Sequence, residues 1–250
     1  MIPDRIDLSL VLPMYNEEAA AQTVVTELVE ALDAADIHAR IVVVDDGSTD
    51  GTSEITERLS EAYENVDVIH HGVNRGYGAA ISSGIRSATG KKIGFLDGDG
   101  QFVASDVVTA FWVASHVDCV LGYRSPRADN AYRRLVARVG NAVGRTLVPH
   151  AVVDIDCSLK IFSASLLDGL RVSSSGGFFS TELLARVLSS DLAVAQVPVR
   201  HTQRRGGAAG GGSVSAIVFT VWEGSLFALR RFREHRSQVG DDVALATTVQ

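Results

Sequence analysis

The chain predicts an α/β fold built on a mostly parallel sheet with helices on both faces, followed by an amphipathic C-terminal helix. Two observations carry this. Strand-like apolar runs alternate with helical periodicity through the first hundred residues, and each run ends at or near a polar cluster. The clusters are Tyr15-Asn16-Glu17, Asp45-Asp46-Gly47-Ser48, Asn74 to Gly78 and Asp97 to Gln101. A doubly wound sheet binds ligands beyond the carboxyl ends of its strands, so the four clusters define one binding edge.

Leu8 to Leu12 is an apolar run that stops at Pro13, and Glu17 to Leu32 has helical periodicity through Val24, Val25, Leu28 and Leu32. Ile41 to Val44 is continuously apolar, as in a strand buried on both faces. Thr52 to Tyr63 reads helical, with Ser48-Thr49-Asp50 as cap candidates before it. Val66 to Ile69 reads as a strand, Ala79 to Ala88 as a helix and Ile93 to Leu96 as a strand. Beyond residue 102 the pattern loosens. Val117 to Leu121, Ile155 to Phe162 (crossing the sheet edge) and Val194 to Val199 read as strands; Tyr132 to Leu147 and Thr181 to Leu188 read as helices. Gln203 to Gly212 is an Arg- and Gly-rich loop, Ser213 to Arg233 a long amphipathic helix, and the stretch from about Gln238 a disordered tail.

The 250 residues carry a formal charge of −7 and 46% hydrophobic residues, enough for one sizeable core. Without clustered Lys and Arg before the C-terminal region, a nucleic-acid partner is not expected. Met1 to Asp7 has no signal-peptide core, and no apolar run reaches the ~18 residues of a membrane span, so a cytoplasmic protein is expected, peripheral at most to the cytoplasmic face of the membrane. Cys119 and Cys157 then read as reduced core residues.

Asp97-Gly98-Asp99 follows a strand. Two carboxylates at i and i+2 in a turn can converge on a hard divalent cation, with Gln101 next at the same spacing; a solvated Asp-Gly turn is the plainer alternative. Asp45 and Asp46 can accept hydrogen bonds from a base or ribose, or only cap the next helix. Arg75-Gly76, opening a helix, suit an anionic group.

Taken together, VLPMYNEE, VVVDDGSTDGT, NRGYGAAISSGIRSATG and GFLDGDGQF resemble family 2 of the glycosyltransferases, whose fold is GT-A, a Rossmann-like sheet. GYRS, DIDCSLKIF, FFSTELLAR and VPVRHTQRRGG look most like the dolichyl- or polyprenyl-phosphate sugar synthases. Ser158-Leu159 stands where relatives have Gly-Phe, no Lys follows the Arg204-x-x-Gly207 match, and the Q-x-x-R-W signature of processive synthases is absent.

The resemblance implies a GT-A domain over 1–212, its nucleotide-binding half 1–101 and acceptor half 102–212, then the helix 213–237 and tail 238–250. It implies Pro13, Tyr15 and Glu17 at the nucleobase and ribose with Asp46 reading the base, and Asp97, Asp99 and Gln101 holding Mg²⁺ or Mn²⁺ and the diphosphate. Arg124 and Arg133 would lie near phosphates, Arg204 would clamp one, and Glu182 would face the acceptor. The implied reaction is inverting transfer from a UDP- or GDP-sugar to a polyprenyl phosphate, an anion that needs no base. A small-molecule hydroxyl is the alternative acceptor and would need one, with Glu182 or Asp156 as candidates. The C-terminal helix, ending in the basic Arg230 to Arg236, could pack on its own domain, on a second copy or on a membrane surface. His70, His71 and His201 read as structural.

Overall fold

A computed structural model of the chain describes residues 6–125, 144–145, 147–148, 151–188, 191–204 and 218–230. Its centre is a seven-stranded sheet: β1 (Leu8–Met14), β2 (Ala39–Asp45), β3 (Val66–His70), β4 (Lys92–Phe95), β5 (Cys119–Arg124), β6 (Lys160–Ser163) and β7 (Val194–Val199). The spatial order is β3-β2-β1-β4-β6-β5-β7. β6 pairs antiparallel with both β4 and β5, and every other pairing is parallel. A strand was expected from Ile155, crossing the sheet edge; it begins only at Lys160 and lies inside the sheet. Residues 154–157 turn instead, with the Cys157 N–H donating to the Asp154 carbonyl at 3.3 Å.

Helices cover both faces because the strands are apolar on both. On one face, Leu8, Leu10, Leu12 and Met14 of β1 meet the apolar sides of α1 (Ala21–Ala34), α2 (Thr52–Ala62) and α4 (Ala104–Ala114). On the other, Val11, Val42, Val44 and Phe95 meet α3 (Tyr77–Ser87) and α5 (Phe179–Val187). α3 lies close on β1 because it carries Gly84: a Cβ there would stand 2.2 Å from Val11 Cγ1. α4 was not anticipated from the sequence. It buries Val107, Ala110, Phe111 and Ala114 on one side, but Val108, Trp112 and Val113 widen its apolar arc and no side chain caps its start, which leaves the signal weak.

A last helix, α6, covers residues 218–230. It packs through Phe227 onto Phe178, ring centroids 5.6 Å apart, and exposes Val218, Val221, Trp222 and Leu229. Most of the helix expected over Tyr132 to Leu147 lies outside the described residues, as do the tail and the Gly-rich part of the 203–212 loop.

Candidate active site

The loops after β1, β2 and β3 are tied to one another by side chains at the sheet's carboxyl edge. Asn16 takes a left-handed backbone (φ 56°), its N–H donating to Ser48 Oγ at 3.0 Å and its Oδ1 accepting from Thr49 N at 2.8 Å. The Glu17 N–H donates to Thr52 Oγ1 at 2.8 Å. Asp50 accepts from the Thr52 N–H at 3.0 Å, but the N-cap position of α2 is Gly51, so none of the three cap candidates occupies it.

Asp45 and Asp46 are almost fully buried and already engaged. Asp45 accepts from the Ser48 N–H (3.0 Å) and the Ser53 hydroxyl, and bonds His70 Nδ1 (3.1 Å). Although burial opposes ionisation, these partners hold its carboxyl below the usual carboxylate range. Asp46 accepts from the N–H groups of Arg75 (3.0 Å) and Gly76 (2.8 Å) and bonds His71 Nδ1 at 2.6 Å. His71 in turn meets Ser83 Oγ at 3.0 Å. The two aspartates therefore tie the loops at this edge together, Asp46 through both of its oxygens. Gly76 has φ 93°, and a Cβ on it would stand 2.7 Å from the Ser175 carbonyl oxygen; only glycine meets both conditions. Arg75 and Tyr15 expose their side chains, while Pro13 is held in β1 beside Val44.

Asp97 and Asp99 lie in the turn after β4. Burial raises the Asp97 carboxyl above its usual range, against the hydroxyls of Ser158 and Tyr77 and the charges of Lys160 and Arg124. Burial, and then the like charge of Asp97, pushes Asp99 up to about 6. Glu17 is pushed up to about 7, first by burial, with Asp99 adding to the rise and Arg204 opposing it. Arg204 reaches this acidic group from the chain after β7. It bonds Glu17 Oε1 and stands 4.0 Å from Asp99 Oδ2. Glu17 Oε2 and Arg204 Nε are both buried without a hydrogen-bond partner among the described residues.

A buried carboxylate pair beside an orphaned carboxylate oxygen suits a hard cation. Among the described residues no three His, Cys, Asp or Glu side chains converge as a complete metal cage. A cation at Asp97 and Asp99 would therefore take further oxygens from water or a diphosphate. Gln101 is adjacent: its N–H donates to Asp99 Oδ1 at 3.1 Å and its Nε2 to the Thr202 carbonyl at 3.0 Å.

Arg124 forks onto Asp154, with Nε and Nη2 at 2.8 and 2.9 Å, so its guanidinium is committed to the chain although its charge reaches Asp97. Glu182 is likewise occupied. It is 1% exposed, and its oxygens accept from the N–H groups of Ser173 and Ser174, the Ser174 hydroxyl and Arg186. Those hydrogen bonds outweigh the opposing effect of burial and lower its pKa, the reverse of what a base waiting for a proton needs. Asp156 is exposed. Arg133 lies outside the described residues. Tyr77 was missed by sequence reasoning: its hydroxyl is among the groups that oppose the rise of the Asp97 carboxyl, and only the fold brings the start of α3 to that turn.

The model of glycosyl transferase family 2 matches residues 9–166, more than half of the chain. The chain belongs to that family. An undecaprenyl-phosphate 4-deoxy-4-formamido-L-arabinose transferase of Sodalis glossinidius is 28% identical over 82% of this chain and 63% of its own length. A dodecaprenyl-phosphate galacturonate synthase of Rhizobium johnstonii is 28% identical over 81% of this chain and 61% of its own. The chain thus spans less than two thirds of these curated relatives.

Solved structures of similar fold include glucosyl-3-phosphoglycerate synthase of Mycobacterium tuberculosis with phosphoglyceric acid. It has a TM-score of 0.64 at 21% identity, covering 87% of this chain and 80% of that one. A mannosyltransferase of Pyrobaculum calidifontis with GDP-Man and Mn²⁺ has a TM-score of 0.58 at 22% identity, covering 80% and 57%. The fold of this family 2 chain is accordingly GT-A.

Proposed function

We propose that this chain is an inverting, cation-dependent glycosyltransferase that moves a sugar from a UDP- or GDP-sugar to a polyprenyl phosphate. One observation carries the reading: Asp97 and Asp99, raised in pKa by burial, stand beside Glu17 and Arg204 at the binding edge of a family 2 fold. Asp97 and Asp99 would hold Mg²⁺ or Mn²⁺, with Gln101 beside them. The cation supplies neutralisation of the charge that builds on the departing diphosphate.

The chain's own residues do the rest. Pro13, Tyr15 and Glu17 line the nucleoside site, and Asp45 and Asp46 hold its loops. Arg75, exposed at the mouth, and Arg204, able to exchange Glu17 for a phosphate, meet the diphosphate. Arg124 keeps the 154 turn in place and adds positive potential near Asp97; Arg133 is assigned to acceptor phosphate from the sequence alone. A phosphate acceptor is already an anion, which agrees with a Glu182 committed to backbone N–H groups. Both relatives described above are named for polyprenyl phosphates. Such an acceptor places the enzyme at a bilayer, where the exposed apolar side of α6 and the basic Arg230 to Arg236 would meet lipid at the cytoplasmic face. Among the described residues no helix is long and apolar enough to cross a membrane.

A second reading, transfer to a hydroxyl of a small molecule, is favoured by the M. tuberculosis neighbour, whose name carries such an acceptor and whose chain is covered to 80%. Glu182 or Asp156, the latter exposed, would then be the candidate base. Purified protein with Mn²⁺ or Mg²⁺ and a panel of UDP- and GDP-sugars, with and without a short polyprenyl phosphate, separates the readings. Product that needs the lipid phosphate supports the first; donor turnover with no lipid product removes it.

A further inference from the structure

Glu223, on α6, is distant in sequence from every cluster at the binding edge, yet it is 6% exposed and its carboxylate is built into the domain. Its Oε1 accepts two consecutive N–H groups, from Ser175 at 2.6 Å and Gly176 at 3.1 Å. α6 can come this close only because glycines face it. A Cβ on Gly176 would stand 2.8 Å from the Phe219 ring, and one on Gly177 would stand 2.5 Å from Thr220 Oγ1. The same 175 peptide faces the other way onto the donor loop. The Ser175 carbonyl accepts from the Gly78 N–H at 2.9 Å and leaves Gly76 no room for a side chain. Gly76 and Arg75 then donate to Asp46. Direct contacts therefore run unbroken from α6, through one peptide, to the loop that opens α3. Glu182 anchors the preceding residues, Ser173 and Ser174, so the segment is pinned by one carboxylate at each end.

Packing alone would place an apolar side chain at 223. A buried carboxylate is costly unless its bonds define something, and here it gathers adjacent backbone donors as an anion does in a nest. We infer that Glu223 is a positioning residue for the donor site: by fixing the Ser175–Gly176 peptide, it holds Arg75, Gly76 and Gly78 in the shape that receives the nucleotide diphosphate. This rests on the reading that the 74–78 loop lines the donor site.

Two measurements on the whole chain test it. The first is amide hydrogen exchange without ligand, comparing residues 73–80 with β1. The second is calorimetric binding of UDP and GDP with Mn²⁺. Glu223→Ala should speed exchange at 75–78 on the order of tenfold and leave β1 unchanged. It should weaken nucleotide binding by a similar factor, while Glu223→Gln, which keeps an acceptor oxygen, restores both to within about threefold of wild type. Unchanged exchange at 75–78 overturns the inference, as does acceleration that includes β1 equally, which would mark a general loss of stability. Faster exchange with unaltered nucleotide affinity overturns the link to the donor site. If wild type binds neither nucleotide, the donor-site reading falls, and the exchange data still decide whether Glu223 fixes the loop. Should Glu223→Ala not fold, Glu223→Asp, one methylene short of both N–H groups, carries the same expectations.

Discussion

Asp97 and Asp99 share one buried turn, where Lys160 and Arg124 act on Asp97 and Arg204 stands 4.0 Å from Asp99. Replacing Asp99 with Asn should remove the repulsion and the cation site together. The expected outcome is turnover lower by about 10²–10³-fold and loss of the Mn²⁺-dependent part of UDP- or GDP-sugar binding; calorimetry showing unchanged binding would remove Asp99 from the site. Arg204→Ala should separate activity from stability. The side chain leaves β7's trailing chain to reach Glu17, so its loss costs on the order of 1 kcal/mol of fold stability, the range of a partly exposed ion pair. Turnover should fall about a hundredfold, as when one charge-stabilising donor is removed. Steady-state kinetics beside a melting curve checks this, and equal losses in the two would assign Arg204 to structure alone.

At the level of elements, α3 is positioned by a glycine contact that can be tested directly. Gly84→Ala would push a methyl into Val11, and overpacking of a closed core costs about 1–3 kcal/mol. Denaturant unfolding should show that loss; a neutral result would mean α3 can move off β1 cheaply. The first four strands were legible in the sequence because each holds a short apolar run that stops at or near a polar cluster, and the helices between them carry clear apolar stripes. α4 was not read from the sequence, its stripe of Val107, Ala110, Phe111 and Ala114 being widened by Val108, Trp112 and Val113, and the inner place of β6 depends on pairings no local pattern encodes. The site divides similarly. The carboxylate turn and the glycines of the 74–78 loop are read from spacing, whereas Arg204 is named only by the family resemblance. The engagement of Asp46 by three partners, of Glu182 by backbone N–H groups and of Glu223 by the 175 peptide arises from contacts across the fold, with separations up to 48 positions in sequence.

For the whole molecule, the acidic centre ties stability, pH and cation together. With Asp99 at about 6 and Glu17 at about 7, both carboxyls hold protons in the native state that the unfolded chain releases near pH 4. Between about pH 4 and 7 the native state therefore binds more protons than the unfolded one, so these two groups lower stability as pH rises through that window. Asp45 contributes in the opposite sense: its lowered pKa adds stability that is lost only as the pH falls through its native value. A comparison of wild type with Asp99→Asn isolates the first effect. Wild type should lose more stability than the variant between pH 5 and pH 7.5. At the proposed site Mn²⁺ would bind the ionised pair, and so would compete with protons at pH 5 and far less at pH 7.5. At a hundredfold excess over its dissociation constant it adds about 2.7 kcal/mol, a rise of roughly 5–10 °C in melting temperature for a chain of this size. The rise should appear at pH 7.5, shrink at pH 5 and vanish in Asp99→Asn. A Mn²⁺ shift of equal size at both pH values, or one that survives the substitution, would place the cation elsewhere on the molecule.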